Sequence, residues 1–367
     1  MPYTDVIFMS YAVPTFQPTP MGDPAAPEGV PEISLGNPDL QARAQRLVNV
    51  LYWAQERFSQ GSTAMDGMQR TSVLKIFIVP EFYFRNGTQV EMSETGSFGP
   101  RRNPDGTPAD PNQPYDILHG SYPEKYREPL AAALHAAIDD DRFADWIVVA
   151  GTIFTYIDRF IDGVPAQLNT AVLVRGPRSV ADNAANWVLM EKHIVSLIDG
   201  PNPFHHANQI VESRYHPDRN PEWSWDNVIQ WDGMSIGVEV CLDHDQGILC
   251  RAIRGLRRVL IPPPAGLDIQ LITSCGMVID RRRIAVREGG LILLTDGMPQ
   301  LRSAVETPVT EYARVVAGGD VAELVNLGYP TPPLNPLPDG TNYRVNYPNY
   351  RGGQGVYAFP AKRLLAV

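Results

Sequence analysis

A nearly unbroken apolar run, Val73-Leu74-Lys75-Ile76-Phe77-Ile78-Val79, constrains the fold of this chain more than any other stretch. An extended segment of this composition has no polar face to turn toward water, which is typical of a strand buried on both sides. Such a strand needs further structure packed on each face of its sheet. The run therefore predicts a layered α/β protein with a buried sheet.

The rest of the chain alternates between strand and helix patterns. A helix is predicted to begin with Asn37 as N-cap and Pro38 at its first position, and others near 128–140, 247–257 and 278–288. Further strands are predicted at Val6–Met9, Trp146–Ile153, Leu168–Val174, Trp187–Met190, Ser235–Val240, Arg258–Ile261, Leu291–Thr295 and Val356–Phe359. Because some strands follow one another directly, we expect mixed sheets covered by helices. No linker divides the chain, which predicts a single domain over 1–367, with an insertion at about 86–120 and a C-terminal extension from about 300.

Composition narrows the class of protein. A net charge of −10 argues against nucleic-acid binding, which needs a basic surface. Three cysteines cannot all pair within the chain, and this favours a reducing compartment. The N-terminus lacks the basic region of a signal peptide, and no apolar run approaches the roughly 20 residues that span a bilayer. We therefore expect a cytoplasmic protein without a membrane partner.

Three residues whose side chains could take part in catalysis each end or follow an apolar run: Glu81, Lys192 and Cys241. A cysteine nucleophile needs a base, because a free thiol with a pKa near 8.5 is mostly protonated at neutral pH. A carboxylate within reach can take that proton and return it to a leaving amine. A lysine ammonium can stabilise the oxygen that becomes negative during attack on a carbonyl, and the backbone N–H of Leu242 is the natural second donor.

These residues stand in the segments Val79-Pro80-Glu81, Glu191-Lys192-His193 and Gly237-Val238-Glu239-Val240-Cys241-Leu242-Asp243. The ordered set resembles the nitrilase superfamily of carbon–nitrogen hydrolases. The stretch Gln209–Tyr215 also resembles the segment that carries a second glutamate, here Glu212, in N-carbamoyl amino acid amidohydrolases. The nearby Glu191 and Glu222 compete with Glu212 for that position.

The resemblance implies a four-layer α-β-β-α sandwich with two mixed β-sheets and no metal or organic cofactor. It implies that Cys241 is the nucleophile, Glu81 the general base and then acid, and Lys192 the stabiliser of the tetrahedral intermediate. Glu212 is implied to position the lysine or the substrate. The expected partners are a small-molecule amide or N-carbamoyl compound, hydrolysed through a thioester, and further copies of the chain in a dimer or tetramer.

Several alternatives stay open at this stage. The same thiol can add to a nitrile, and a non-catalytic binding protein of the same fold is a further possibility. His244-Asp245-Gln246-Gly247 departs from the aromatic residue and Pro-Glu pair that many family members carry there. Arg101, Arg102 and Arg214 are candidates for holding a substrate carboxylate. His205 and His206 are adjacent, a spacing that rarely chelates one ion, so we expect no metal there.

Overall fold

The fold is taken from a computed structural model. It describes residues 3–15, 27–86, 121–161, 164–178, 184–194, 196, 226–299, 308–317, 323–326, 334–337 and 354–365. The α-helices in these residues are α1 (Pro38–Ser59), α2 (Arg127–Ile138), α3 (Leu242–Gln246) and α4 (Ile248–Val259). The strands are β1 (Asp5–Ala12), β2 (Val73–Ile78), β3 (Tyr122–Pro123), β4 (Trp146–Ile161), β5 (Val164–Arg175), β6 (Trp187–Glu191), β7 (Val228–Trp231), β8 (Met234–Val240), β9 (Leu267–Ser274), β10 (Val286–Pro299), β11 (Pro308–Ala317), β12 (Glu323–Asn326), β13 (Asn335–Pro336) and β14 (Gly355–Arg363).

The strands of the described residues form two mixed sheets. The first has eight strands in the order β13-β14-β1-β2-β4-β5-β6, with β3 paired to β4. Its centre is parallel, since β1 pairs with β2 and β2 with β4 in parallel, and its outer pairs are antiparallel. The second has six strands in the order β12-β11-β10-β9-β8-β7, with β8, β9 and β10 parallel.

Alternate residues of the central strands enter different cores, which stacks the elements in four layers. On β2, Phe77 packs with helices α1 and α2, whereas Ile76 and Ile78 face the second sheet. On the second sheet, Val238 and Val240 face the first sheet, and other side chains pack beneath α4. The order of layers is therefore helix, sheet, sheet, helix, which confirms the predicted four-layer sandwich with two mixed sheets.

Helix α1 begins where the sequence predicts. The Asn37 side chain accepts a hydrogen bond from Leu40 N at 3.0 Å, and Pro38 stands at the first helical position, where its missing N–H costs nothing. The predicted buried strand 73–79 is also present, as β2 with every residue buried. Local patterns were sufficient for both elements.

Two predicted elements are wrong. The predicted strand Arg258–Ile261 is instead the end of α4 and an exposed turn before Pro262, and the strand lies later, at Leu267–Ser274. The β-branched residues at 259 and 261 favoured the wrong prediction of a strand. The true strand was not predicted because it contains Asp268 and Gln270, whose side chains form hydrogen bonds within the protein.

The predicted helix near 278–288 is a single short turn, Arg281–Arg283, followed at once by β10. Asp280 closes this turn by accepting from Arg282 N at 2.9 Å. Beyond residue 300, the described segments also contribute strands to both sheets, with β14 lying beside β1.

Candidate active site

Glu81 lies just beyond the carboxyl end of β2, where the chain leaves the first sheet. Its backbone N–H donates to the carbonyl of Ser274 at 3.3 Å, and Thr273 Oγ1 donates to the carbonyl of Val79 at 2.8 Å. Both bonds join the end of β2 to the end of β9 in the other sheet. The Glu81 side chain is fully buried at this junction between the sheets.

Lys192 follows β6 directly, and its ammonium meets that carboxylate. Lys192 Nζ donates to Glu81 Oε1 at 2.8 Å, and neither side chain is exposed. The backbone N–H of Lys192 donates to Asn169 O at 2.8 Å, which extends the β5–β6 pairing to the site. The two side chains therefore form a buried ion pair.

Asn169 belongs to the same cluster and was not predicted as a site residue. Its amide Nδ2 donates to Glu81 Oε1 at 2.8 Å from the middle of β5. One sequence signal was available: Asn169 is a polar residue in the apolar strand segment 168–174, and a buried amide needs a hydrogen-bonding partner. The signal identifies a partnered side chain, but it does not say which partner.

Cys241 stands where β8 turns into helix α3. Its backbone has φ 49° and ψ −110°, a conformation that is strained for a residue other than glycine. The parallel β8–β9 pairing continues into the turn, because Cys241 N donates to Thr273 O at 3.0 Å. The side chain is 4% exposed, and its Sγ lies 3.9 Å from the carbonyl oxygen of Cys275.

Glu81 and Cys241 therefore approach the same strand end from different sheets. Glu81 N binds the carbonyl of Ser274 and Cys241 N binds the carbonyl of Thr273, two consecutive residues of β9. The next residue, Cys275, has a thiol pKa well above its usual value of 9, because of burial first, and then of the charges of Asp296, Glu81 and Cys241. The end of β9 is therefore the point at which the backbones of Glu81 and Cys241 come together.

Asp243 links the turn after Cys241 to the segment after Lys192. Its carboxylate accepts from His193 N at 3.0 and 3.1 Å and from Ile194 N at 2.8 Å, and the side chain is fully buried. Hydrogen bonds to a carboxylate are stronger than those between neutral groups. Asp243 thus connects the backbone that follows Lys192 to the backbone that follows Cys241. This role was not predicted from the sequence.

Leu242, predicted to supply an oxyanion donor, is the first residue of α3. The first N–H groups of an α-helix have no acceptor within the helix, so this amide needs an acceptor from outside it. Phe82, at φ 63°, borders the site: its ring centre lies 5.8 Å from Lys192 Nζ and 4.8 Å from Arg85 Cζ. The wall near the ammonium is therefore aromatic, with a second cation on the same ring.

The remaining predicted site residue, Glu212, lies outside the described residues, as do Glu222, Arg101, Arg102, Arg214, His205 and His206. Glu191, one of the competing glutamates, is described: its Oε1 accepts from Arg127 Nη1 on α2 at 2.8 Å. Among the described residues, no group of three or more His, Cys, Asp or Glu side chains is placed to hold a metal. Nor does any helix in the described ranges have the length and apolarity needed to cross a bilayer.

The other two cysteines, Cys250 and Cys275, have raised thiol pKa values. Cys250 lies in α4, and burial raises the pKa of its thiol to about 12. Burial likewise raises the pKa of Cys275, so neither thiol forms an appreciable amount of thiolate at neutral pH. All three cysteines are free and buried.

Comparison with known proteins gives a similarity in structure only. No protein-family model matches the chain, and neither does any curated protein. Nit3 of Saccharomyces cerevisiae, a member of branch 10 of the nitrilase superfamily, is 11% identical with a TM-score of 0.35, over 87% of this chain and 89% of that one. A mutant of the amidase from Nesterenkonia sp. AN1, in complex with butyramide, is 12% identical with a TM-score of 0.37, over 89% and 91%.

A third solved structure, XC1258 from Xanthomonas campestris, is a CN-hydrolase superfamily protein with an arsenic adduct in its active site. It is 12% identical with a TM-score of 0.32, over 88% of this chain and 86% of that one. Of these three solved structures, Nit3 and XC1258 are described as members of the nitrilase, or CN-hydrolase, superfamily.

Proposed function

We propose that this chain is a carbon–nitrogen hydrolase that acts on a linear amide or an N-carbamoyl compound through a cysteine thioester. One observation carries the proposal: Lys192 Nζ lies 2.8 Å from the buried Glu81 carboxylate, at the strand end that also adjoins Cys241. A buried acid, a buried ammonium and a thiol at the start of a helix are the three groups that acyl transfer from nitrogen to sulfur needs.

In the proposed reaction, Glu81 takes the proton of the Cys241 thiol, and the sulfur attacks the carbonyl carbon. The carbonyl oxygen becomes negative in the tetrahedral intermediate and is stabilised by the Lys192 ammonium and the Leu242 N–H. Glu81 then gives its proton to the leaving nitrogen, the C–N bond breaks, and ammonia or an amine departs. The acyl group remains as a thioester on Cys241.

Water completes the turnover in the second half of the reaction. Glu81 takes a proton from water, whose oxygen attacks the thioester carbon, and the second oxyanion has the same two donors. The C–S bond breaks, sulfur recovers a proton, and a carboxylic acid leaves. Glu212 is proposed to position the lysine or the substrate, and no cofactor takes part in any step.

Release of ammonia from a panel of simple amides, N-carbamoyl amino acids and nitriles tests the proposal. We expect turnover of an amide or carbamoyl compound, abolished in Cys241→Ala and in Glu81→Gln. Preferred turnover of nitriles would replace the proposed substrate class while keeping the nucleophile. Full activity of Cys241→Ala on the best substrate would show that the assigned nucleophile is wrong. Absence of turnover across the whole panel, together with a Cys241 thiol no more reactive than Cys250, would favour a non-catalytic binding protein.

We also propose that the chain is cytoplasmic and forms a homo-oligomer. Its three free cysteines support a reducing compartment. Support for assembly comes from the end of α4, where Val259, Leu260 and Ile261 form a run of exposed apolar side chains, with Ile261 98% exposed. A second copy of this chain is the occupant that we propose for this surface.

A further inference from the structure

His244 stands in α3, three residues after Cys241, and is fully buried. Its Nδ1 lies 2.7 Å from Glu239 Oε2, and Glu239 stands on β8, two residues before Cys241. The side-chain bond therefore closes a loop around the strained turn that carries the thiol. A contact across a turn restricts the backbone within it more than a contact to a distant element does.

Both ring nitrogens of the imidazole have a hydrogen-bonding partner. Asp280 N lies 2.9 Å from His244 Nε2 and donates to it. Nδ1 faces Glu239 Oε2 on the other side of the ring. One imidazole thus uses both nitrogens to bind two separate parts of the chain.

Glu239 is itself held from three directions. Its Oε1 accepts from Leu249 N in the first turn of α4 at 2.9 Å, and its Oε2 accepts from Gln270 Nε2 on β9 at 2.7 Å, in addition to the imidazole. A buried polar network with its bonds formed is rigid, and breaking it leaves buried groups without partners. The Glu239 carboxylate is therefore a fixed anchor for the ring.

The Asp280 bond extends the network to a second segment, the one that follows β9. Asp280 belongs to the segment that begins at Cys275, whose carbonyl oxygen lies 3.9 Å from Cys241 Sγ. His244 thereby joins the turn that presents the thiol to the segment that borders the thiol. Displacement of the ring would break its bonds to both segments.

We infer that His244, anchored by Glu239, is a positioning residue that sets the location of the Cys241 thiol for the proposed hydrolysis. The inference rests on the proposed function. It assigns His244 no contact with substrate and no proton transfer.

The test compares His244→Leu, which removes both hydrogen bonds at similar volume, with His244→Asn, which keeps a donor toward Glu239. We expect His244→Leu to lower kcat about 10- to 100-fold, because a small misplacement of a reacting group is costly, and to leave KM within about threefold. Alkylation of Cys241 by iodoacetamide should slow in parallel. His244→Asn should recover a large part of both losses.

His135→Leu is the matched control, because His135 binds the carbonyl of Arg175 through Nδ1 at 3.2 Å on helix α2, away from the turn. It should lower the melting temperature and leave kcat and alkylation unchanged. A folded His244→Leu protein with wild-type kcat and alkylation rate would overturn the inference, as would equal effects of the Leu and Asn variants. If His244→Leu does not fold, the test uses His244→Asn alone. This variant loses the acceptor for Asp280 N, so its kcat should fall several-fold at unchanged KM. A wild-type kcat in His244→Asn would overturn the inference.

The two readouts separate this inference from the proposed function. If wild-type protein hydrolyses no compound in the panel, the proposed function fails. Alkylation of Cys241 then still reports whether His244 positions the thiol. If wild type is active and His244→Leu is equally active, the function stands and the inference fails.

Discussion

Lys192 Nζ and Glu81 Oε1 are 2.8 Å apart, in a region where neither side chain reaches solvent. A buried ion pair of this kind is a weak contributor to stability, because desolvation of the two charges offsets their attraction. Asn169 adds a hydrogen bond to the same carboxylate oxygen. The pair is therefore a weak source of fold stability, and the role that we propose for it is in the chemistry of the site.

Replacement of Lys192 by Met should lower kcat/KM about 100- to 1,000-fold, the usual cost of losing one oxyanion donor. The proposed role places the ammonium beside the developing negative charge, so the loss should appear mainly in kcat. Lys125→Met is the control, because Lys125 is exposed and lies over the Tyr126 ring. Activity of Lys192→Met within about threefold of wild type would contradict the proposed role.

Asp243→Ala should destabilise the protein and reduce activity together. The change leaves the buried N–H groups of His193 and Ile194 without their acceptor, at about 1–3 kcal/mol for each group. Urea titration measures the stability loss, and Asp243→Asn, which retains one carbonyl acceptor, should lie between wild type and Ala. Asp245→Ala, at a half-buried neighbour, should have little effect. Equal stability of the two Ala variants would contradict the prediction.

Iodoacetamide at pH 8 should modify Cys241 well before the other cysteines. With a pKa of about 12, Cys250 has a thiolate fraction of only about 10⁻⁴ at that pH, and the pKa of Cys275 is also well above its usual range. Peptide mass spectrometry over time resolves the three sites. Labelling of Cys241 should slow in Glu81→Gln, and labelling of Cys250 at the same rate as Cys241 would count against a reactive nucleophile.

Lys75 should make stability depend on pH in the alkaline range. Burial lowers the pKa of its ammonium from 10.5 to about 8 in the folded protein, with Asp145 acting in the opposite direction. Between these pH values the unfolded chain binds more protons than the folded protein, so folding becomes more favourable as pH rises.

Compared with Lys75→Met, the wild-type free energy of unfolding should therefore improve by on the order of 1–3 kcal/mol between pH 8 and about 10.5. Urea titrations of both proteins at several pH values measure the difference. The comparison cancels groups that titrate in both proteins. A difference that stays constant over this range would contradict the prediction.

Ile261→Asp should reduce the molecular mass of the oligomer that the protein forms in solution. The exposed run at the end of α4 is the proposed contact between copies, and a charge at its most exposed position opposes burial there. Light scattering coupled to size exclusion gives the mass directly. Val325→Asp, on β12 and partly exposed, is the control that should leave the mass unchanged. A wild-type protein that is monomeric in solution would contradict the proposed contact.

Patterns within short stretches predicted much of the framework. The apolar run at 73–79 became a fully buried strand, and Asn37 with Pro38 marked the start of α1, because hydrophobic periodicity and capping act between near neighbours. The same local reading failed at 258–261 and 278–288. In the first case the strand lies later in the chain, as β9, and its polar residues Asp268 and Gln270 bind side chains 33 and 31 positions away in sequence.

The amino-acid sequence alone gives the order Glu81, Lys192, Cys241 and predicts the layered α/β class. Both depend only on residue types and on hydrophobic periodicity within single segments. Tertiary structure alone decided that Glu81 and Lys192, 111 positions apart, share a hydrogen bond and that Asn169 donates to the same carboxylate. It also decided that Asp243 and His244 bind the segments next to Lys192 and Cys241. The pairing of strands and the stacking of the two sheets determine which groups become partners. A polar residue in a buried segment indicates that a hydrogen-bonding partner exists, but the sequence does not show which residue it is. Glu212 remains a prediction from the sequence.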